Sequence, residues 1–175
     1  LQHNKEIDML EETYLNIISS KTASLFAAAT KVGAIISEKD LKFKNALEFY
    51  GKNLGLTFQI ADDTLDYNSE LKLFGKNIGN DFYEGKVTLP IILLYQKLYD
   101  GEKEKLKSLF KKQIREKKDL EYVLNLIKKN KIIKECYKKA EHYINLASNS
   151  LSVFEESDEK NLLKNLTSFS IERNF

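Results

Sequence analysis

FQIADDTLDY, residues 58–67, sets three carboxylates within five positions of an otherwise apolar stretch. Asp62, Asp63 and Asp66 lie between Phe58, Ile60, Leu65 and Tyr67. Acids packed so closely repel one another, and burying them is costly unless cations neutralise them. Gln59, Asp62, Asp63 and Asp66 recur at i, i+3, i+4 and i+7, the spacing that lines side chains along one helical face. The opposite face is apolar enough to be core. The stretch therefore predicts a helix packed on one side and anionic on the other. Two readings are open: a solvated acidic face, or a site for a hard cation with oxygen ligands, above all Mg²⁺. Mg²⁺ keeps waters and borrows phosphate oxygens, so the second reading implies a phosphate-bearing ligand.

Working outward, apolar periodicity predicts one helix over 8–36 and another over 39–67. On the first, Tyr14, Ile18, Leu25, Ala28, Val32 and Ile35 form the expected core stripe, and on the second Phe43, Leu47, Tyr50, Leu54, Phe58, Ala61 and Leu65 do so. Residues 68–86, with three glycines and three asparagines, read as a loop. Helices follow near 88–99, 103–114, 118–129, 131–154 and 158–171. With one proline and seven glycines in 175 residues, and no convincing period-two alternation, the fold class is all-α.

Lys21 interrupts the expected stripe between Ile18 and Leu25. An ammonium facing a core needs an anion, or it snorkels to solvent. Thr22 follows it, and Ala27, Ala28 and Ala29 let a helix or a ligand approach closely. The loop adds Gly75-Lys76, Gly79, Asp81 and Gly85-Lys86. Glycines free the backbone to wrap an anion, and lysine binds phosphate as a point charge. Acids for Mg²⁺ and lysines from a separate helix and a loop could meet around one polyanion such as diphosphate.

FQIADDTLDY followed by GKNIGNDFYEGKVTLPIILL resembles the second aspartate-rich region of the trans-isoprenyl (polyprenyl) diphosphate synthases. YLNIISSKTASLFAAATKVGAII, residues 14–36, resembles that family's KT helix, and SFSIERNF, residues 168–175, its closing helix. The resemblance covers essentially residues 1–175 and is nearest to octaprenyl-type, long-chain members. It implies an isoprenoid synthase-type helical bundle and head-to-tail condensation of an allylic diphosphate with isopentenyl diphosphate. Asp62, Asp63 and Asp66 would hold Mg²⁺ directly or through water. Lys21 and Lys76 would grip the allylic diphosphate, and Thr22 and Gln59 would set oxygen dipoles near the developing carbocation. Phe58 would lie by the isopentenyl unit, and Asp81 would hold Lys76 or a metal-bound water.

The family carries two aspartate-rich motifs, and only one DDxxD occurs here. The chain is therefore expected to correspond to the C-terminal half of a synthase. It would be inactive alone, would act with an N-terminal half or in a homo- or hetero-oligomer, and would leave apolar surface bare. The alternative is a non-catalytic subunit, or remnant of a split synthase, that binds a full-length partner.

Composition narrows the remaining classes. Charged residues make up 31%, and the longest apolar run, Leu89–Tyr95, is too short to span a bilayer. From Lys97 to Lys139 there are 15 Lys and Arg against 7 Asp and Glu. That excess reads as a solvated helical face, with peripheral contact to anionic lipid second and no nucleic-acid role expected. The single cysteine, Cys136, reads as a packing residue, and with no secretory signal visible the expected location is cytoplasmic. Two histidines, His3 and His142, read as surface residues.

Overall fold

The computed structural model describes residues 6–68 and 78–172. The regular elements are helices: α1 (Glu11–Ile18), a π-helical turn (Ser19–Ala23), α2 (Ser24–Ile36), α3 (Leu41–Leu65), α4 (Asn80–Glu84), α5 (Leu89–Lys97), α6 (Asp100–Lys111), α7 (Lys117–Lys129), α8 (Ile132–Ser150), a 3₁₀ turn (Leu151–Val153) and α9 (Asp158–Glu172). No strand occurs among the described residues, so the all-α expectation holds.

The helix expected over 8–36 is not one regular helix. At Ser19–Ala23 the backbone widens, and the Ser24 N–H reaches back five residues to Ser19 O. A π turn inserts one extra residue, which rotates everything after it by about 100°. The buried face consequently slips by one position. Tyr14 and Ile18 are buried as expected, but the face continues through Ala23, Ala27 and Ala34. Leu25, Val32 and Ile35, expected in the core stripe, are 72%, 46% and 48% exposed. The same slip removes Lys21 from the apolar stripe and leaves it exposed. The segment 68–86, expected to be all loop, contains the short α4.

Two compact units divide the chain. One comprises 1–14 and 62–136. Its core centres on α5, where Leu89, Ile91, Ile92 and Leu94 are fully buried because the helix is apolar all round. The amphipathic α6 and α7 contribute Leu106 and Leu109, and Leu120, Val123 and Ile127, at three- and four-residue spacings. Burying each such side chain contributes roughly 1.5–3 kcal/mol. Cys136 is fully buried here, as a packing residue should be. Several lysines of the basic stretch are neutralised locally, among them Lys112 on Asp119 and Lys129 on Glu102.

The second unit comprises 15–61 and 137–175. Tyr50, Leu54, Ala147 and Leu151 form its core cluster, with Phe26, Leu47, Phe154 and Leu163 packed against it. The Tyr50 hydroxyl donates to Leu163 O at 2.8 Å, and burial pushes that phenol up to about 12. Packing of α2 on α3 is unusually close at Gly55, where a Cβ would lie 2.6 Å from Ala23 Cα. Glycine there lets the two backbones approach. No helix among the described residues is long and apolar enough to cross a membrane.

Candidate functional site

In the unit of 15–61 and 137–175, the α2–α3 approach brings Thr22 and Gln59 together. Thr22 lies in the π turn and its Oγ1 donates to Gln59 Oε1 at 2.7 Å. The sequence offers the two residues separately, 37 positions apart; the Ala23–Gly55 contact puts them side by side. Lys21, next to Thr22, is exposed. Phe58 is half-buried and stacks on Phe26 with ring centroids 5.6 Å apart. Further along the same pair of helices runs a groove of about 550 Å³. Ala27, Ala28 and Lys31 of α2 and Glu48, Phe49 and Lys52 of α3 are among the residues that line it. Lys31 and Glu48 form an ion pair 2.7 Å long.

In the unit of 1–14 and 62–136, the three aspartates take three different environments. Asp62 is exposed. Asp63 is only 6% exposed and accepts a hydrogen bond from the Tyr14 hydroxyl at 2.7 Å. Burial first, and the Asp63 charge second, hold the Tyr14 phenol well above its ordinary range, so it stays a donor. Asp66 turns away to cap α4. Its Oδ1 accepts from the Asn80 N–H at 3.0 Å and its Oδ2 from the Asp81 N–H at 2.9 Å. Burial nevertheless pushes the Asp66 carboxyl above its usual range, against the pull of the Asp81 amide.

Asp81 holds Lys86, with Nζ 3.2 Å from Oδ1, and Lys86 also reaches Glu84 at 2.6 Å. Glu84 first, then Asp81, raise the Lys86 ammonium above its ordinary value. Lys76 and Gly75, expected to serve the diphosphate, lie outside the described residues. Among the described residues no group of three or more His, Cys, Asp or Glu stands ready to hold a metal unaided. What the acidic end of α3 presents is one exposed carboxylate, Asp62, with two others committed to protein donors. That suits Mg²⁺, which takes one or two carboxylates and completes its shell with water and phosphate oxygens.

Sequence reasoning placed Tyr14 in the core stripe but not beside the aspartate motif. It precedes Asp63 by 49 positions, and only the fold sets its hydroxyl on that carboxylate. Lys86 was visible in the EGK run, but not as the partner of Asp81.

An all-helical body with an acidic helix end, and a Lys-Thr pair in a π turn facing a glutamine, places the chain among isoprenoid synthase folds. Solved structures share that architecture. A decaprenyl diphosphate synthase from Rhodobacter capsulatus superposes with a TM-score of 0.92 at 32% identity, over 99% of this chain and 54% of that one. A polyprenyl synthase from Caulobacter crescentus CB15, solved with calcium and isoprenyl diphosphate, superposes with a TM-score of 0.86 at 34% identity, over 98% of this chain and 52% of that one. The family model for polyprenyl synthetase matches residues 1–127, and the chain belongs to that family. A prenyl transferase of Cyanophora paradoxa is 34% identical over 96% of this chain and 50% of its own length. The all-trans-nonaprenyl-diphosphate synthase of Rhodobacter capsulatus is 35% identical over 99% and 52%. The chain thus spans about half the length of the curated relatives it matches.

Proposed function

We propose that this chain is the C-terminal half of a Mg²⁺-dependent trans-polyprenyl diphosphate synthase, of the long-chain, octaprenyl type, that works in the cytoplasm. It would condense an allylic diphosphate head-to-tail with isopentenyl diphosphate. The observation that carries the reading is the Thr22–Gln59 pair beside exposed Lys21, on helices whose sequence matches the family. A purely structural subunit has no need of a lysine and two oxygen dipoles held in that order.

In the reaction the allylic C–O bond breaks and diphosphate leaves with the electron pair. The double bond of isopentenyl diphosphate attacks the allylic cation, and a proton is lost to the departing diphosphate. Bound Mg²⁺ would neutralise charge on that leaving group. Asp62 is the carboxylate free to hold it, with Asp63 and Asp66 acting through Tyr14 and α4 or through metal-bound water. Lys21 and Lys76 bind the allylic diphosphate by charge. The Gln59 and Thr22 oxygens face the developing cation, and Phe58 flanks the isopentenyl unit. Asp81 holds Lys86 and serves the site from behind. No protein nucleophile is required.

The other aspartate-rich motif, the first of the family's two, and part of the isopentenyl site would come from an N-terminal half, in trans or in one polypeptide. Exposed Leu25, Val32, Ile35 and Ile36 are the apolar surface such a partner would cover. The test is reconstitution. The chain alone, with Mg²⁺ and both diphosphates, is expected to incorporate no labelled isopentenyl unit. Co-expressed with the N-terminal half of the Rhodobacter capsulatus decaprenyl enzyme, it is expected to do so. Turnover by the chain alone would refute the need for a partner. Absence of Mg²⁺-pyrophosphate binding in the reconstituted protein would refute the catalytic reading.

A further inference from the structure

We infer that Arg115, in the connection between α6 and α7, is a positioning residue for the acidic end of α3, acting through α4. The inference rests on the proposed diphosphate-binding role of that end, and deepens it.

Five residues make too short a helix to persist unaided, so α4 must be held by its surroundings. At its start Asp66 accepts the Asn80 and Asp81 amides, and the Gly79 N–H donates to Asp66 O at 2.7 Å. At its end sits Arg115. Its Nη1 donates to Tyr83 O at 3.1 Å, and its Nη2 donates to Phe110 O at the end of α6. The guanidinium carbon lies 5.9 Å from the Phe82 ring centre and 5.5 Å from that of Phe110. Those two rings meet edge to face at 5.5 Å. One planar cation therefore bridges two carbonyls while packed against two aromatic rings.

Gly85 completes the clamp. Its φ of +71° ends α4, and a Cβ there would lie 2.6 Å from Arg115 Nη2. The guanidinium fills the space that the missing side chain leaves. Loosening this end of α4 would free its other end from Asp66, and with it Asp81 and the Lys86 it holds. Lysine cannot substitute, because a point charge on a flexible stem does not bridge two carbonyls in a plane.

The experiment compares the wild-type chain with Arg115→Ala and Arg115→Lys. Amide hydrogen exchange at Asn80 and Asp81 reports the Asp66 cap, and calorimetry with Mg²⁺ and inorganic pyrophosphate reports the site. Both variants are expected to exchange faster than wild type at those amides, and to bind pyrophosphate more weakly, by roughly tenfold, as loss of a charged hydrogen bond implies. Millimolar methylguanidinium is expected to restore both properties to Arg115→Ala, and methylammonium neither. If Arg115→Ala does not fold, Arg115→Lys alone carries the comparison. Unchanged exchange at Asn80 and Asp81 in a folded variant overturns the inference, and so does equal rescue by methylammonium. Should the wild-type chain, by itself and reconstituted, bind no Mg²⁺-pyrophosphate, the functional reading fails while the exchange data still decide the role of Arg115.

Discussion

The hydroxyl of Tyr14 donates to the buried carboxylate of Asp63 at 2.7 Å, across 49 residues of chain. The middle acid of the motif is thereby committed to the protein. Tyr14→Phe removes one donor from a carboxylate that is 6% exposed. The expected cost is about 1–3 kcal/mol of stability, measured as a shift of the urea midpoint at constant slope. Burial raises the Tyr14 phenol further above its usual range, so its own ionisation contributes nothing to pH dependence near neutrality.

Asp62 and Asp66 should separate function from stability. Asp62 is exposed, so Asp62→Ala is expected to change stability by no more than about 0.5 kcal/mol while weakening Mg²⁺-dependent pyrophosphate binding. Asp66→Ala strips α4 of its cap and is expected to cost about 0.5–2 kcal/mol. Thermal melts with and without Mg²⁺-pyrophosphate distinguish them: only the Asp62 variant should lose ligand stabilisation with its unliganded melting point intact.

Gly55→Ala should act on the Thr22–Gln59 pair without touching either residue. The added methyl would sit 2.6 Å from Ala23 Cα, and backbone cannot yield as a flexible side chain can. An overpacking cost of about 1–3 kcal/mol is expected, together with loss of the Thr22–Gln59 hydrogen bond as read by solution NMR of the two side chains.

Stability should depend on pH through Asp119. The Glu116 amide first, and Lys112 second, hold its carboxyl below the usual aspartate range. A depressed native value stabilises the fold above the ordinary aspartate pKa of about 3.9, and the contribution is lost as pH falls through the native value. Asp119→Asn should therefore destabilise the chain at pH 7, and the difference from wild type should shrink in strongly acid solution, measured by urea unfolding.

Exposed Leu25, Val32, Ile35 and Ile36 on α2 should make the isolated chain self-associate. Sedimentation velocity is expected to show a concentration-dependent shift that Leu25→Ser with Ile36→Ser diminishes. Co-expression with an N-terminal half should remove it as well.

Much of the architecture was legible because it depends on local rules. Spacing of apolar residues in α5 to α8, and the scarcity of breakers, require only the helical period to be read. The helix expected over 39–67 differs from α3 by two residues at each end. On α2 the same rule misplaced the core stripe, since one inserted residue at Ser19–Ala23 rotates every later side chain and leaves no mark in apolar spacing. α4 escaped notice because a helix this short owes its existence to Asp66 and Arg115, not to its own periodicity.

The amino-acid sequence alone determined the helical class, the family resemblance and the residue types that could serve a metal-bound diphosphate, because each follows from spacing along a single helix or loop. Only the tertiary structure decided which of those residues are free. Whether a carboxylate faces solvent, accepts a tyrosine hydrogen bond or caps a helix depends on donors brought from distant segments by packing, and packing also chose which face of α2 lies inward. A one-dimensional pattern carries the period of a helix, but not the partners its side chains meet.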